Sequence, residues 1–221
     1  MARLNLAILI SGRGSNMQAL VAACRRGEVD ARVRLVLSNR PEAPGLAHAA
    51  AAGVATAVVA HGEHPDRASF DAALDETLTA AGVEFVCLAG FMRLLTPGFV
   101  AAWRDRLINI HPSLLPAFPG LHTHRRALEA GVKLAGCTVH FVRFETDSGP
   151  IIAQAAVPVL PDDDEDRLAA RVLAAEHRLY PLALRLLAEG RVRVVGERAI
   201  VEAGAGVEAG AGQGALLNPT D

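Results

Sequence analysis

Asn109 and His111, in the segment LINIHPSLLP, are the residues whose types and spacing point most directly to chemistry. In an extended strand side chains alternate, so Asn109 and His111 project on one face while Ile108 and Ile110 project on the other. The apolar face can enter a core, and the amide and imidazole then stand about 7 Å apart along the strand. Pro112 has no N–H for a sheet ladder and holds His111 extended, so the strand is expected to stop there. A neutral amide beside an imidazole can donate to an oxygen that gains negative charge as a carbonyl becomes tetrahedral. The same placement also suits a polar pair that only closes a strand end, and spacing leaves both readings open.

No Ser or Cys stands in a GxSxG elbow, which favours direct transfer between two bound substrates over a covalent acyl-enzyme. A carboxylate is then needed to organise the histidine and handle protons. Asp147, in FETDSGPII, is the candidate, although a turn residue before Ser148-Gly149-Pro150 would look the same. Ahead of it in the chain, SGRGSN supplies successive backbone N–H groups, the Ser11 and Ser15 hydroxyls and a helix N-terminus, a combination that suits phosphate. It is not GxGxxG, because position 17 is Met, and no GK[ST] follows, so a single phosphate ester fits better than a dinucleotide or a triphosphate. A tight glycine turn without a ligand remains the alternative.

Glu176 shares one helix face with Leu168, Val172 and Tyr180 and so interrupts an apolar stripe. An inward carboxylate needs a partner, which a substrate amine, His177 or a nearby Arg would supply. His122 and His124 have no spaced Cys or carboxylate set beside them, and no metal is expected. The acidic run Asp162 to Asp166 sits where a helix begins, so capping and compensation of the helix dipole account for it.

These residues need elements to hold them. Leu4–Ile10, Val33–Ser38, Val54–Ala60 and Val83–Ala89 read as buried strands, alternating with helices over Met17–Arg26, Leu46–Ala52 and about Asp66–Ala81. That alternation predicts an α/β fold, a Rossmann-like, doubly wound, mostly parallel sheet in the N-terminal half, with ligands at the carboxyl ends of its strands. In the C-terminal half, Leu107–Ile110, Cys137–Phe144 and Ile151–Val159 are expected to extend the sheet with antiparallel strands. A helix then runs to about Leu187, interrupted at Pro181, and Arg191–Val201 forms a hairpin turning at Gly196-Glu197.

A hydrophobic fraction of 51% against 21% charged residues can fill one full core. The net charge of −2 gives no general attraction to nucleic acid or an anionic membrane, so an anionic substrate must meet local donors. Cys24, Cys87 and Cys137 are far apart and read as buried reduced thiols. The N-terminal apolar run is too short to span a bilayer and leads into a glycine turn rather than a cleavage site, so a cytoplasmic location is expected. One domain is expected over residues 1–202, with a phosphate-binding half at about 1–100 and a catalytic half at 101–202. Residues 203–221, which include AGAGVEAGAGQG, read as a flexible low-complexity tail.

Taken in order, SGRGSN, LAGFMRLL, NIHPSLLPAFPGLHTHRRALEAG, GCTVHFV, DSGPIIAQ and EHRLYP resemble the folate-dependent formyltransferases. PGLHTH, GCTVHFV and EHRLYP narrow the resemblance to the phosphoribosylglycinamide formyltransferase family of purine synthesis, over roughly Leu4 to Val201. The resemblance implies small-molecule substrates, with 10-formyltetrahydrofolate as formyl donor and phosphoribosylglycinamide as acceptor, in a monomer or homodimer. It implies catalytic roles for Asn109, His111 and Asp147. Gly14, Ser15, Asn16 and Met17 match the segment that holds the ribonucleotide phosphate, and Glu176 the carboxylate that holds the glycinamide end. Arg67, Met92, Arg93, Leu94 and Leu95 match positions lining the formyl-folate site, which Asn109 also faces and His140 lies near. Arg13 and Ser148 stand where the family varies and take no role. A methionyl-tRNA formyltransferase is expected to carry a further basic C-terminal domain, and a formyltetrahydrofolate hydrolase an N-terminal regulatory one. A non-catalytic sensor of folate or a phosphosugar has no need of Asn109, His111 and Asp147 together.

Overall fold

The computed structural model describes residues 3–202 and 216–218, and the chain divides into two compact units, Met1–Asn109 and Ile110–Asp221. The division falls inside the strand that carries Asn109 and His111.

In the first unit strands and helices alternate: β1 (Leu4–Ile10), α1 (Ser15–Arg26), β2 (Ala31–Ser38), α2 (Pro44–Ala51), β3 (Thr56–Val58), α3 (Arg67–Ala80), β4 (Phe85–Leu88), α4 (Pro97–Ala102) and β5 (Leu107–His111). Within the unit the strand order is β5-β4-β1-β2-β3, every pairing parallel. The order reverses between β1 and β4, and in such sheets ligands lie at the carboxyl ends of the strands at that point. The loops leaving β1 and β4 are SGRGSN and GFMRLL, so the topology puts two candidate binding segments side by side. Leu6 to Ile10, Val36, Leu37, Val86 and Cys87 are fully or almost fully buried, as a parallel sheet covered on both faces requires.

Local signals set most boundaries. Asp66 caps α3 by accepting from Ser69 N–H at 2.8 Å, with a reciprocal Ser69 bond, a capping box. The third strand is three residues long rather than the seven expected. Helix α4 was not anticipated. Thr96 caps it and Pro97 occupies its first turn, where a missing N–H costs nothing.

The second unit holds α5 (Thr123–Glu129), β6 (Leu134–Phe141), β7 (Ile151–Pro158), α6 (Glu165–Ala188) and the hairpin β8 (Val192–Val195) and β9 (Arg198–Val201). β6 and β7 pair antiparallel, with a register shift between Val139 and His140. Helix α6 packs its buried residues, Leu168, Val172, Leu179, Tyr180 and Ala183 among them, over β6 and β7. It continues through Pro181, where an interruption was expected. Proline removes one backbone bond, to the His177 carbonyl, at a cost of about 3 kcal/mol. Leu179, Leu184 and Leu186, each wholly buried, offset it at roughly 1.5–3 kcal/mol apiece. The fold class is thus the expected one: Rossmann-like and parallel in the N-terminal half, antiparallel in the C-terminal half.

Within the stretch expected to be a tail, β10 (Leu216–Asn218) pairs antiparallel with β7, while 203–215 and 219–221 lie outside the described residues. The acidic run is engaged as expected. Asp164 caps α6, and Asp163 accepts two bonds from Arg171, which with the Leu160 N–H hold its carboxyl down at about 2. The cysteines are free thiols; burial raises Cys24 to about 11 and Cys137 further. Among the described residues no helix is long and apolar enough to cross a membrane.

Candidate active site

In the second unit His111, Asp147 and His140 converge. Asp147 Oδ2 lies 3.4 Å from His111 Nδ1 and accepts from Gly120 N–H at 2.8 Å. Its Oδ1 faces His140 Nε2 at 3.8 Å. The side chains are 7%, 10% and 2% exposed for His111, Asp147 and His140, so water screens these charges little. His111 Nε2 lies 3.1 Å from the Phe118 carbonyl. Both ring nitrogens of His111 therefore face oxygens that can only accept. His140 differs: its Nδ1 lies 2.9 Å from the Phe141 carbonyl, and burial holds the ring below its ordinary range against the opposing pull of Phe141 O and Asp147. A neutral His140 protonated at Nδ1 turns an unprotonated Nε2 toward the carboxylate.

The loops that hold this cluster carry strain. Phe118, His122 and Asp147 have φ of 52°, 55° and 54°, in the left-handed region that a bulky side chain adopts at a cost. Neighbouring bonds hold them there. Thr138 Oγ1 donates to Ser113 O and accepts from Leu115 N–H, Gln154 donates to Leu115 O, and Arg126 donates to Pro119 O. At the other loop, a Cβ on Gly149 would run into the Phe141 carbonyl, so only glycine lets residues 142–150 close against the end of β6. Arg143, nearly buried, pairs with Glu197 at 2.6 Å and ties that loop to the β8–β9 turn. Phe118, Gly120, Thr138 and Gln154 escaped the sequence reading. Only the Pro-Gly pair at 119–120 signalled a backbone N–H turned to use.

Asn109 ends the first unit, half-buried on β5 opposite Leu88, while Ile108 and Ile110 are buried on the other face of the strand. Gly14, with φ 72°, caps α1 without any side-chain bond, and no acid stands in the first turn. The N–H groups of Ser15, Asn16 and Met17 open the helix, where intrahelical acceptors are lacking. Met17 is buried to 1% and Asn16 to 8%, so this segment offers a ligand chiefly backbone N–H groups and the half-buried Ser15. A Cβ on Gly45 would lie 2.5 Å from Ile10 Cδ1 and 2.9 Å from Gly12 O, which shows how closely the start of α2 packs on the glycine loop. One expectation needs correction. The Ser11 hydroxyl does not face outward for phosphate; it donates to Asn39 Oδ1 at 2.6 Å and accepts from Met92 N–H at 2.7 Å.

The segment Met92–Leu95 is held at both ends, by that Ser11 bond and by Thr96 N–H donating to Asp71 Oδ2 at 2.6 Å. Between them Met92 and Leu94 are 62% and 61% exposed, Leu95 is buried, and the Arg93 guanidinium lies 5.8 Å from the Phe70 ring centre. Phe70 belongs to the first turn of α3, which Arg67 opens with an exposed side chain. In the second unit Glu176, 6% exposed, is buried on α6, where its charge, after burial, helps raise the Cys137 thiol.

A family model described as formyl transferase matches residues 4–184. The chain is 47% identical over 191 residues to phosphoribosylglycinamide formyltransferase of Escherichia coli (strain K12), a match covering 86% of this chain and 90% of that one. It is 53% identical over 197 residues to the trifunctional purine biosynthetic protein adenosine-3 of Drosophila pseudoobscura pseudoobscura, covering 88% of this chain but only 14% of that much longer protein. Among solved structures, glycinamide ribonucleotide transformylase 1 from Symbiobacterium toebii superimposes with a TM-score of 0.89 at 51% identity, covering 91% of this chain and 95% of that one. With the parallel sheet, the glycine loop after β1 and the His111–Asp147 pair, these matches lead to one conclusion: the chain belongs to the formyl transferase family and, within it, to the phosphoribosylglycinamide formyltransferases.

Proposed function

We propose that the protein transfers the formyl group of 10-formyltetrahydrofolate to the amine of phosphoribosylglycinamide. The observation that carries the chemistry is the buried imidazole–carboxylate contact between His111 and Asp147, two residues along the chain from an amide, Asn109. The uncharged glycinamide amine attacks the formyl carbon, forming a C–N bond and a tetrahedral oxyanion. Asn109 and His111 stabilise that oxygen. Because the Phe118 carbonyl already engages His111 Nε2, the oxyanion shares or displaces that bond as charge develops. Asp147 stabilises the imidazolium and, through water, helps carry the proton from the attacking nitrogen to the departing folate nitrogen as the old C–N bond breaks. The products are formylglycinamide ribonucleotide and tetrahydrofolate.

In this reading Gly14 to Met17 hold the phosphate through backbone N–H groups and Ser15, and Glu176 receives the glycinamide end. Arg67, Met92 to Leu95 and Asn109 line the folate site, with His140 near it. The two exposed apolar side chains, Met92 and Leu94, suit a flat aromatic ring. The reading takes the protein to be cytoplasmic, as a monomer or a homodimer. Mixing the protein with phosphoribosylglycinamide and a 10-formylfolate and following the folate absorbance tests it. Stoichiometric formylation of the amine is expected; formyl release that ignores phosphoribosylglycinamide would make the protein a hydrolase instead.

A further inference from the structure

Ser11 is held three ways at the carboxyl end of β1. Its backbone N–H donates to Gly90 O at 3.1 Å, its hydroxyl donates to Asn39 Oδ1 at 2.6 Å, and the same oxygen accepts from Met92 N–H at 2.7 Å. The residue is 6% exposed, so water competes little for any of these bonds. Ser11 opens the glycine loop that leads to Gly14–Met17, and Met92 opens the folate-lining segment. β1 and β4 are neighbouring strands at the point where the sheet order reverses. A hydroxyl that accepts a hydrogen bond donates more strongly, so shortening either bond strengthens the other.

We propose that the Ser11 hydroxyl couples the two substrate segments energetically. Ordering the glycine loop around a ribonucleotide phosphate fixes Ser11, and Ser11 fixes the backbone from which Met92 and Leu94 project. Folate on that segment acts back through the same oxygen, since coupling between two sites is reciprocal. The other restraints each serve one segment: Gly45 N–H to Gly12 O holds the glycine loop to α2, and Thr96 N–H to Asp71 holds the far end of the folate segment to α3. Of these three restraints, Ser11 alone touches both. It is a positioning residue, and the inference rests on the two-segment reading above.

The test is calorimetric titration of the full chain with phosphoribosylglycinamide and with tetrahydrofolate, which carries no formyl group and so cannot react. Each ligand is titrated into free protein and into protein saturated with the other. In the wild type each ligand should tighten the other about 5-fold, the low end for coupled sites. In Ser11→Ala the factor should fall to near one while both ligands still bind. Asp71→Asn should weaken tetrahydrofolate alone and keep the factor, because it loosens the segment without touching Ser11. Should Ser11→Ala not fold, Ser11→Cys keeps a donor and an acceptor there, both weaker and on a slightly larger atom, and its factor should fall between the two. A wild-type factor of one, or a wild-type factor in Ser11→Ala, overturns the coupling. Failure of either ligand to bind the wild type overturns the site assignment, and the proposal with it.

Discussion

Asp147 divides its two oxygens between unlike neighbours: Oδ2 accepts from Gly120 N–H and lies 3.4 Å from His111 Nδ1, while Oδ1 lies 3.8 Å from His140 Nε2. Asp147→Asn keeps the shape and an acceptor for Gly120 but removes the charge beside His111. Turnover should fall at least ~10²-fold, the lower range for a positioned acid–base group, with both substrates still bound. Turnover within a few-fold of wild type would reduce Asp147 to a turn residue. Asn109→Ala removes an amide donor from the proposed oxyanion, and turnover should drop about 10²–10³-fold. If activity per folded molecule survives while the melting temperature drops, Asn109 serves only to close the strand.

At the scale of elements, glycine decides how closely backbone meets backbone. Gly45 begins α2 with negative φ, so alanine there is limited by space alone. Ile10 Cδ1 can swing away, but the Gly12 carbonyl belongs to the loop that leads to the proposed phosphate site. Gly45→Ala should push that loop outward and raise KM for phosphoribosylglycinamide about ten-fold, ~1.4 kcal/mol of lost binding, with kcat far less affected. Initial-rate kinetics separates the two, and an unchanged KM would mean that the loop takes up the methyl without leaving its ligand geometry. In the second unit the 111–122 loop shows the opposite design. The loop that carries left-handed Phe118 and His122 is braced from outside by Thr138, Gln154 and Arg126 and from within by Ser113, which donates to Ala117 O, so bonds to β6, β7 and α5 add to the loop's own.

Across the molecule three histidines titrate low. Burial is the first cause at His124, His140 and His177 alike. A histidine whose folded value lies below its ordinary 6.5 binds its proton more readily in the unfolded chain. The stability it contributes is therefore full above 6.5 and is lost as pH falls below it. Asp163, held at about 2 against an ordinary 3.8, acts in a separate window and loses its contribution only between those values. The thermal midpoint should stay level from pH 8 to about 6.5 and then decline toward pH 5, well before Asp163 takes up its proton. A midpoint that is flat or rising from pH 6.5 to 5 contradicts the placement of these rings.

What the sequence determined was whatever depends on near neighbours. The apolar run of β1, the acid caps at Asp66 and Asp164, the alternation that turns Asn109 and His111 to one face and the hairpin at Gly196-Glu197 are set by residues a few positions apart. Residue chemistry narrowed the site further, because an amide, an imidazole and a carboxylate suit few reactions. The partners of those groups were decided only by the tertiary structure. Gly120 reaches Asp147 across 27 residues, Ser11 reaches Asn39 across 28 and Met92 across 81, and no local pattern encodes such pairs. That is why Ser11 read as a phosphate ligand and turned out to be a junction. It is also why α6 runs on through Pro181: local propensity argued for a break, and burial against β6 and β7 outweighed it.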